Sequence, residues 1–178
     1  MYSPTRPIAL ALCLALALIG CGAEDGSLAP AFDRIGGVPL RGVPLRGACA
    51  TSYELTDPVL ANEKDLVSAD YHDSGSCRLS QLGAATVQNE GSIDFSTVPA
   101  LGTGTFTLVA ANGDRLEGTE RIAYDLPNER GVFGFSGTRT ITRGTGRFAE
   151  ARGSIAITGT GSTVANTTDL TFAGRLDE

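Results

Sequence analysis

The chain has 178 residues, 20 acidic and 14 basic side chains, a formal net charge of −6, one histidine and no tryptophan. That acidic balance, with no cluster of Lys or Arg interleaved with aromatics, excludes a nucleic-acid binder. Mild negative charge of this kind serves solubility rather than a particular chemistry.

The chain opens with a targeting segment. Arg6 and the amino terminus supply positive charge, "IALALCLALALIG" at 8–20 is apolar, and "LIGC" follows; this is the pattern of a signal peptide over residues 1–20. As a helix the apolar run would span only about 20 Å, short of a hydrocarbon core of about 30 Å. "LIGC" resembles the bacterial lipobox, whose cysteine is lipidated and becomes the first mature residue. The resemblance implies a lipid on Cys21 and a protein held on a membrane of the cell envelope, with an outer-membrane, periplasmic or surface-facing location. Gly22 is not the Asp that often accompanies inner-membrane retention. The alternative is an ordinary secreted protein with Cys21 as a free thiol.

Residues 21–46 are rich in Gly, Pro and Ala and hold a tandem "GVPLR" at 37–41 and 42–46. Proline removes a backbone donor and drives its predecessor toward extended conformations, so the segment reads as a flexible linker between lipid and domain. A docking motif is the other reading of the pentapeptide pair.

With Cys21 claimed by lipid, Cys49 and Cys77 remain. In an oxidising compartment they read as a disulfide, worth about 3.6 kcal/mol on the loop-entropy model. A metal site of Cys49, His72 and Cys77 with Asp70 or Asp73 matches no compact zinc spacing, so no metal or other cofactor is expected.

From residue 47 to 178 the chain consists of short β-branched and aromatic runs punctuated by glycine. Strands are expected near "CATSYEL" and "DLVSADYH", then at 77–87, 131–142, 153–160 and 169–176. The clearest signal is "TFTLVAANGDRLEGTERIAYDL" at 105–126. There Phe106, Leu108 and Ala110 alternate, Asn112-Gly113 supplies a tight turn, and Leu116, Ile122 and Tyr124 continue at even spacing. No apolar 3.6-residue period follows the signal segment, so helices should be at most short. Regularly spaced strands with glycines two residues from aromatics, as in "FGFSG" and "FAGRL", favour a closed antiparallel barrel over a sandwich.

One stretch invites a different reading. "GTGRFAEARG" at 144–153 begins with the G-x-G-x-x-[GA] pattern of a dinucleotide loop. Such a loop must open a helix whose N-H groups hold the pyrophosphate, yet Gly153 and the alternating "SIAITGT" follow at once. The preceding "TRTITR" is no continuous apolar strand, and no Walker pattern occurs.

The same decapeptide resembles the G-T-G-x-F-x-x-A-x-G signature of the dirigent and allene oxide cyclase barrel superfamily. "TGTFTLVAANGDRLEGT" is similar to a hairpin of small exported bacterial proteins with that barrel. The likeness covers roughly 77–176; Arg143 departs from it, standing where a second glycine is common. It implies an antiparallel barrel of about eight strands, all-β, with a trimer common among plant members. Phe148 should plug the interior, while Gly144 and Gly146 shape a turn and Ala151 and Gly153 admit a close strand crossing.

The plant relatives cyclise an epoxide or steer radical coupling inside the barrel without a metal. Arg152 matches the arginine of the dirigent motif and is the position the resemblance carries over as a catalytic candidate. Glu120 and Tyr124 share strand parity with Leu116 and Ile122, so they are candidates for the inward face; the rival places Glu120 beyond the rim in water and Arg152 in a surface ion pair. His72, in the polar "DYHDSGS", reads as a loop histidine. The expected function is a non-catalytic, lipid-anchored barrel that binds a small apolar ligand or another envelope component. The alternative is a cyclase- or dirigent-like protein, which needs a cavity of about 300 Å³ or more with convergent polar groups.

Overall fold

A computed structural model describes residues 42–62 and 65–177. Cys21 and most of the expected linker lie outside the described residues. Eight antiparallel strands follow one another around a closed barrel in chain order. They are β1 (Val43–Ala61), β2 (Asp65–Leu79), β3 (Gly83–Asp94), β4 (Ala100–Ala110), β5 (Arg115–Tyr124), β6 (Val132–Gly144), β7 (Arg152–Ser162) and β8 (Thr167–Asp177). β8 pairs back onto β1 from Val43↔Leu176 to Ser52↔Thr167, which leaves the sheet no free edge. Apart from one turn of 3-10 helix at Gly146–Phe148, the described chain is strand and turn.

The hairpin at 105–126 forms as its alternation requires: Phe106, Leu108, Ala110, Leu116 and Ile122 are buried, and the turn sits at Asn112-Gly113. Two boundaries differ from the sequence reading. The run 77–87 is the end of β2, a turn and the start of β3, because Leu79 and Leu82 both reach the interior from either side of a tight reversal. The second "GVPLR" copy is strand from Val43 onward, ahead of the expected domain start at 47, and Leu45 is fully buried. Pro44 is tolerated there because it stands at the beginning of β1 on the exposed side, where its carbonyl accepts from Ser80 and Gln81. His72, expected in a loop, lies on β2 with its side chain outside.

Cys49 and Cys77 are register partners on β1 and β2 and form a disulfide in the barrel interior, with a sequence separation of 28.

Adjacent strands alternate direction, so all the turns fall at two ends. At one end are residue 42, residue 177 and the turns 80–82, 111–114 and 145–151. At the other are the connections 95–99, 125–131 and 163–166. "GTGRFAEARG" closes the first end. Phe148 and Ala151 turn inward and are buried, and the loop is tied down by Thr145, whose N-H donates to the Arg115 carbonyl and whose Oγ1 accepts from the Arg115 N-H. Arg147 lies over the Phe148 ring at 4.8 Å and pairs with Asp114 at 3.4 Å. Gly146 has φ +58°, and a Cβ there would strike the Asp114 carboxylate, so this turn demands glycine for both reasons.

Candidate functional site

The interior changes character halfway up. Toward the closed end it is a continuous apolar core that includes Leu45, Leu79, Val87, Leu108, Leu116, Ile141, Ile155 and Leu176. Above it, inward positions on six strands carry polar or charged groups: Thr51, Tyr71 and Asp73, Asn89, Glu120, Arg139, and Thr168.

Strand register assembles this layer. Tyr71 is opposite Gly91, Gly91 opposite Gly104, Gly104 opposite Glu120, and Glu120 opposite Arg139. The two glycines leave a lane along the wall through which the Tyr71 side chain reaches Glu120. Its phenol donates to Glu120 Oε1 at 2.5 Å, and a Cβ at position 104 would come within 2.6 Å of the Tyr71 phenol oxygen. On the other side Arg139 Nε donates to Glu120 Oε2 at 2.7 Å, and Nη2 donates to Asn89 Oδ1 at 2.9 Å. Both side chains of this ion pair are only 1% exposed. The guanidinium lies 5.1 Å from the ring centres of both Phe106 and Phe172, so the cation rests on the aromatic top of the core. A buried pair survives only when its remaining polar positions are also met, and Tyr71 and Asn89 meet most of them.

Above this floor the barrel opens into a cavity of about 120 Å³ lined by Tyr53, Tyr71, Asp73, Phe95, Tyr124, Phe133 and neighbouring residues. Tyr124 and Phe133 pack edge to face at 6.2 Å, and Tyr53 meets Phe133 at 6.3 Å. The rim is apolar as well. The strongly exposed large apolar side chains among the described residues gather at this end, Leu55, Val59, Leu60, Val98, Leu126 and Val164 foremost, with Val164 80% exposed. None lies at the closed end.

Electrostatics divide the lining groups. Burial, then the nearby Glu120 charge, pushes the Tyr71 phenol far above its ordinary range; the same two causes in the same order raise Tyr124, and burial raises Tyr53. All three therefore keep their protons, and Tyr53 and Tyr71 donate theirs to the Ser162 carbonyl and to Glu120. Asp73 is raised above the usual carboxylate range, first by burial, against the opposing pull of Thr51, Asn89 and Arg139. Its Oδ1 is buried without a hydrogen-bond partner, as is Arg139 Nη1.

Of the residues singled out from sequence, Glu120 and Tyr124 come together here: Glu120 at the floor, paired rather than solvated, and Tyr124 in the wall of the cavity. Arg152 does not join them. It is exposed at the closed end, where its Nη1 donates to the carbonyl of Ala151; it follows the inward-turned Ala151, so its side chain falls on the outer face. Arg139 escaped the sequence reading, and Asp73 entered it only as a ligand of the rejected metal site. The signal for Arg139 was its even spacing from Phe135 and Ile141, which places a charge on the buried face of β6.

No protein-family model matches the chain, and no curated protein or solved structure matches it significantly.

Proposed function

We propose that the chain is an exported, lipid-anchored β-barrel that binds a small apolar ligand in its open mouth, without catalysis. The observation that carries this reading is the continuity of the aromatic cavity with the apolar rim, at one end only of the barrel. Exposed apolar surface concentrated around a concavity is a mark of binding. The lining phenols hold their protons, and the Glu120–Arg139 charges are matched to each other, so neither is poised as an acid, base or nucleophile. Anchoring through Cys21 would hold such a barrel where envelope lipids are at hand.

The resemblance to the dirigent and allene oxide cyclase barrels finds support in the closed eight-strand topology and in the place of "GTGRFAEARG" at a barrel end. A cyclase-like activity is the second reading. Asp73 favours it, as a carboxyl of raised pKa at the cavity. The exterior position of Arg152 weighs against it.

The test uses a property of the sequence. There is no tryptophan, and of four tyrosines all but Tyr2, which lies in the signal segment, line the mouth. Tyrosine emission therefore reports on the mouth alone. Native mass spectrometry of the domain incubated with extracted envelope lipids should show a retained small molecule, and the same extract should shift the tyrosine emission. Recovery of empty protein with unmoved emission overturns the proposal.

A further inference from the structure

The charges inside the barrel restrict what kind of ligand fits. Three ionisable carboxyl or guanidinium groups face inward in the upper half: Asp73, Glu120 and Arg139. Glu120 and Arg139 answer each other at 2.7 Å. Asp73 is left without a cationic partner, and its Oδ1 has no hydrogen-bond partner at all. Asp125 stands at the rim of the same cavity, and no Lys or Arg is among the residues lining it.

Polarity is therefore graded along the mouth: an unmatched carboxyl at depth, aromatic rings around it, and leucine and valine side chains outside. Resting on the reading that the mouth binds a small apolar ligand, we infer that this ligand carries a protonated amine, entering head first to donate an N-H to Asp73 Oδ1 while its hydrocarbon part lies along the rim.

Competing head groups fit less well. An anion would pass Asp125 and meet Asp73. The open Nη1 of Arg139 does not reward it, because that guanidinium is held between Phe106 and Phe172 beneath the mouth. A neutral hydroxyl can donate to Oδ1 but leaves the buried negative charge unbalanced. An ammonium does both, and aromatic walls cost a cation less than aliphatic ones.

The environment of Asp73 adds a proton balance. Tyr53 from β1, Glu120 and Tyr124 from β5 and Arg139 from β6 face it, with the uncharged Thr51 and Asn89 alongside. Burial raises its pKa in the free protein, whereas an ammonium at Oδ1 favours the carboxylate. Binding to the protonated form thus breaks the Asp73 O-H bond and releases that proton to solvent, leaving a carboxylate–ammonium pair. Affinity for the amine should rise with pH through the raised pKa of Asp73.

Three probes with the same tail separate the possibilities: hexylammonium, hexan-1-ol and hexanoate, titrated against tyrosine emission of the wild-type protein. Hexylammonium is expected to bind at least about tenfold more tightly than either of the others at neutral pH, which is the effect of one matched charge in a desolvated site. At acid pH, where the free Asp73 still carries its proton, calorimetry in two buffers of different ionisation enthalpy should show net proton release for the amine alone. Asp73→Asn should lower hexylammonium affinity to that of hexanol and leave hexanol unchanged, and Asp125→Asn, at the exposed rim, should weaken the amine only slightly. Equal binding of hexanol and hexylammonium overturns the amine while leaving the apolar mouth standing. Failure of all three probes overturns both.

Discussion

The two ends of this barrel are built from the same alternating strands yet are finished in opposite ways. At the closed end no described large apolar side chain is strongly exposed, and the loop carrying Phe148 folds over the opening and is tied by hydrogen bonds and the Arg147–Asp114 pair. At the open end the interior keeps charges and phenols, and leucine and valine side chains point into solvent. Burying apolar surface stabilises; exposing it around a polar-floored cavity does not. The contrast separates a half that holds the fold together from a half in which stability is given up for a site.

The largest effect expected is at the boundary between the halves. Arg139→Leu leaves Glu120 as an unpaired buried charge and should cost about 3–5 kcal/mol in urea unfolding. Adding Glu120→Leu should recover most of that loss, since paired removal restores neutrality; a double variant no more stable than the single one would contradict the ion-pair account. Next, Phe148→Ala at the closed end should cost about 3 kcal/mol by cavity formation. Ligand-induced changes in tyrosine emission should persist in that variant, because the mouth is built from the other end. Their loss would mean that the ends are not independent.

Asp73→Asn is expected to act in the opposite direction. A carboxyl whose pKa is raised on folding contributes its stability below about pH 4, the unfolded value, and loses it as pH climbs through the raised one. The variant should therefore match wild type near pH 3 and exceed it by about 1 kcal/mol at neutral pH, measured by urea melts across that range. The smallest effect belongs to Arg152→Ala. Its side chain is exposed on the closed end, so stability should change by less than about 0.5 kcal/mol and binding at the mouth should not change.

The same division explains what the sequence disclosed. Where the interior is apolar, alternation is visible: Phe106, Leu108, Ala110 and Leu116 mark β4 and β5, Ile155 and Ile157 mark β7, and the glycines of "GTGRFAEARG" mark the closing turn. Where the interior is polar the alternation vanishes from view. β2 carries Tyr71, Asp73 and Gly75 on its inner face, which is why "DYHDSGS" reads as a loop, and β3 carries Asn89 and Gly91. Glu120 was legible because its apolar neighbours Leu116 and Ile122 share its parity. Arg139 was not, because its partner lies on another strand and only the β5–β6 register, shifted by the irregularity after Glu117, brings the two together. Arg152 stands one residue past Ala151, the last inward side chain of the plug, and so falls on the outer face.

Closure of the sheet by β1 and β8 places Val43 directly across from Leu176 at the closed end. The two ends of the domain are therefore close enough to be joined by a few residues, and the exposed turn at 163–166 is free to be opened instead. A circular permutant made this way would keep all eight strand pairings while moving the entry of the chain into the barrel from the closed end to the rim of the mouth. With each form tethered by its amino terminus to a vesicle surface, a comparison would show whether the direction in which the mouth faces changes what binds there.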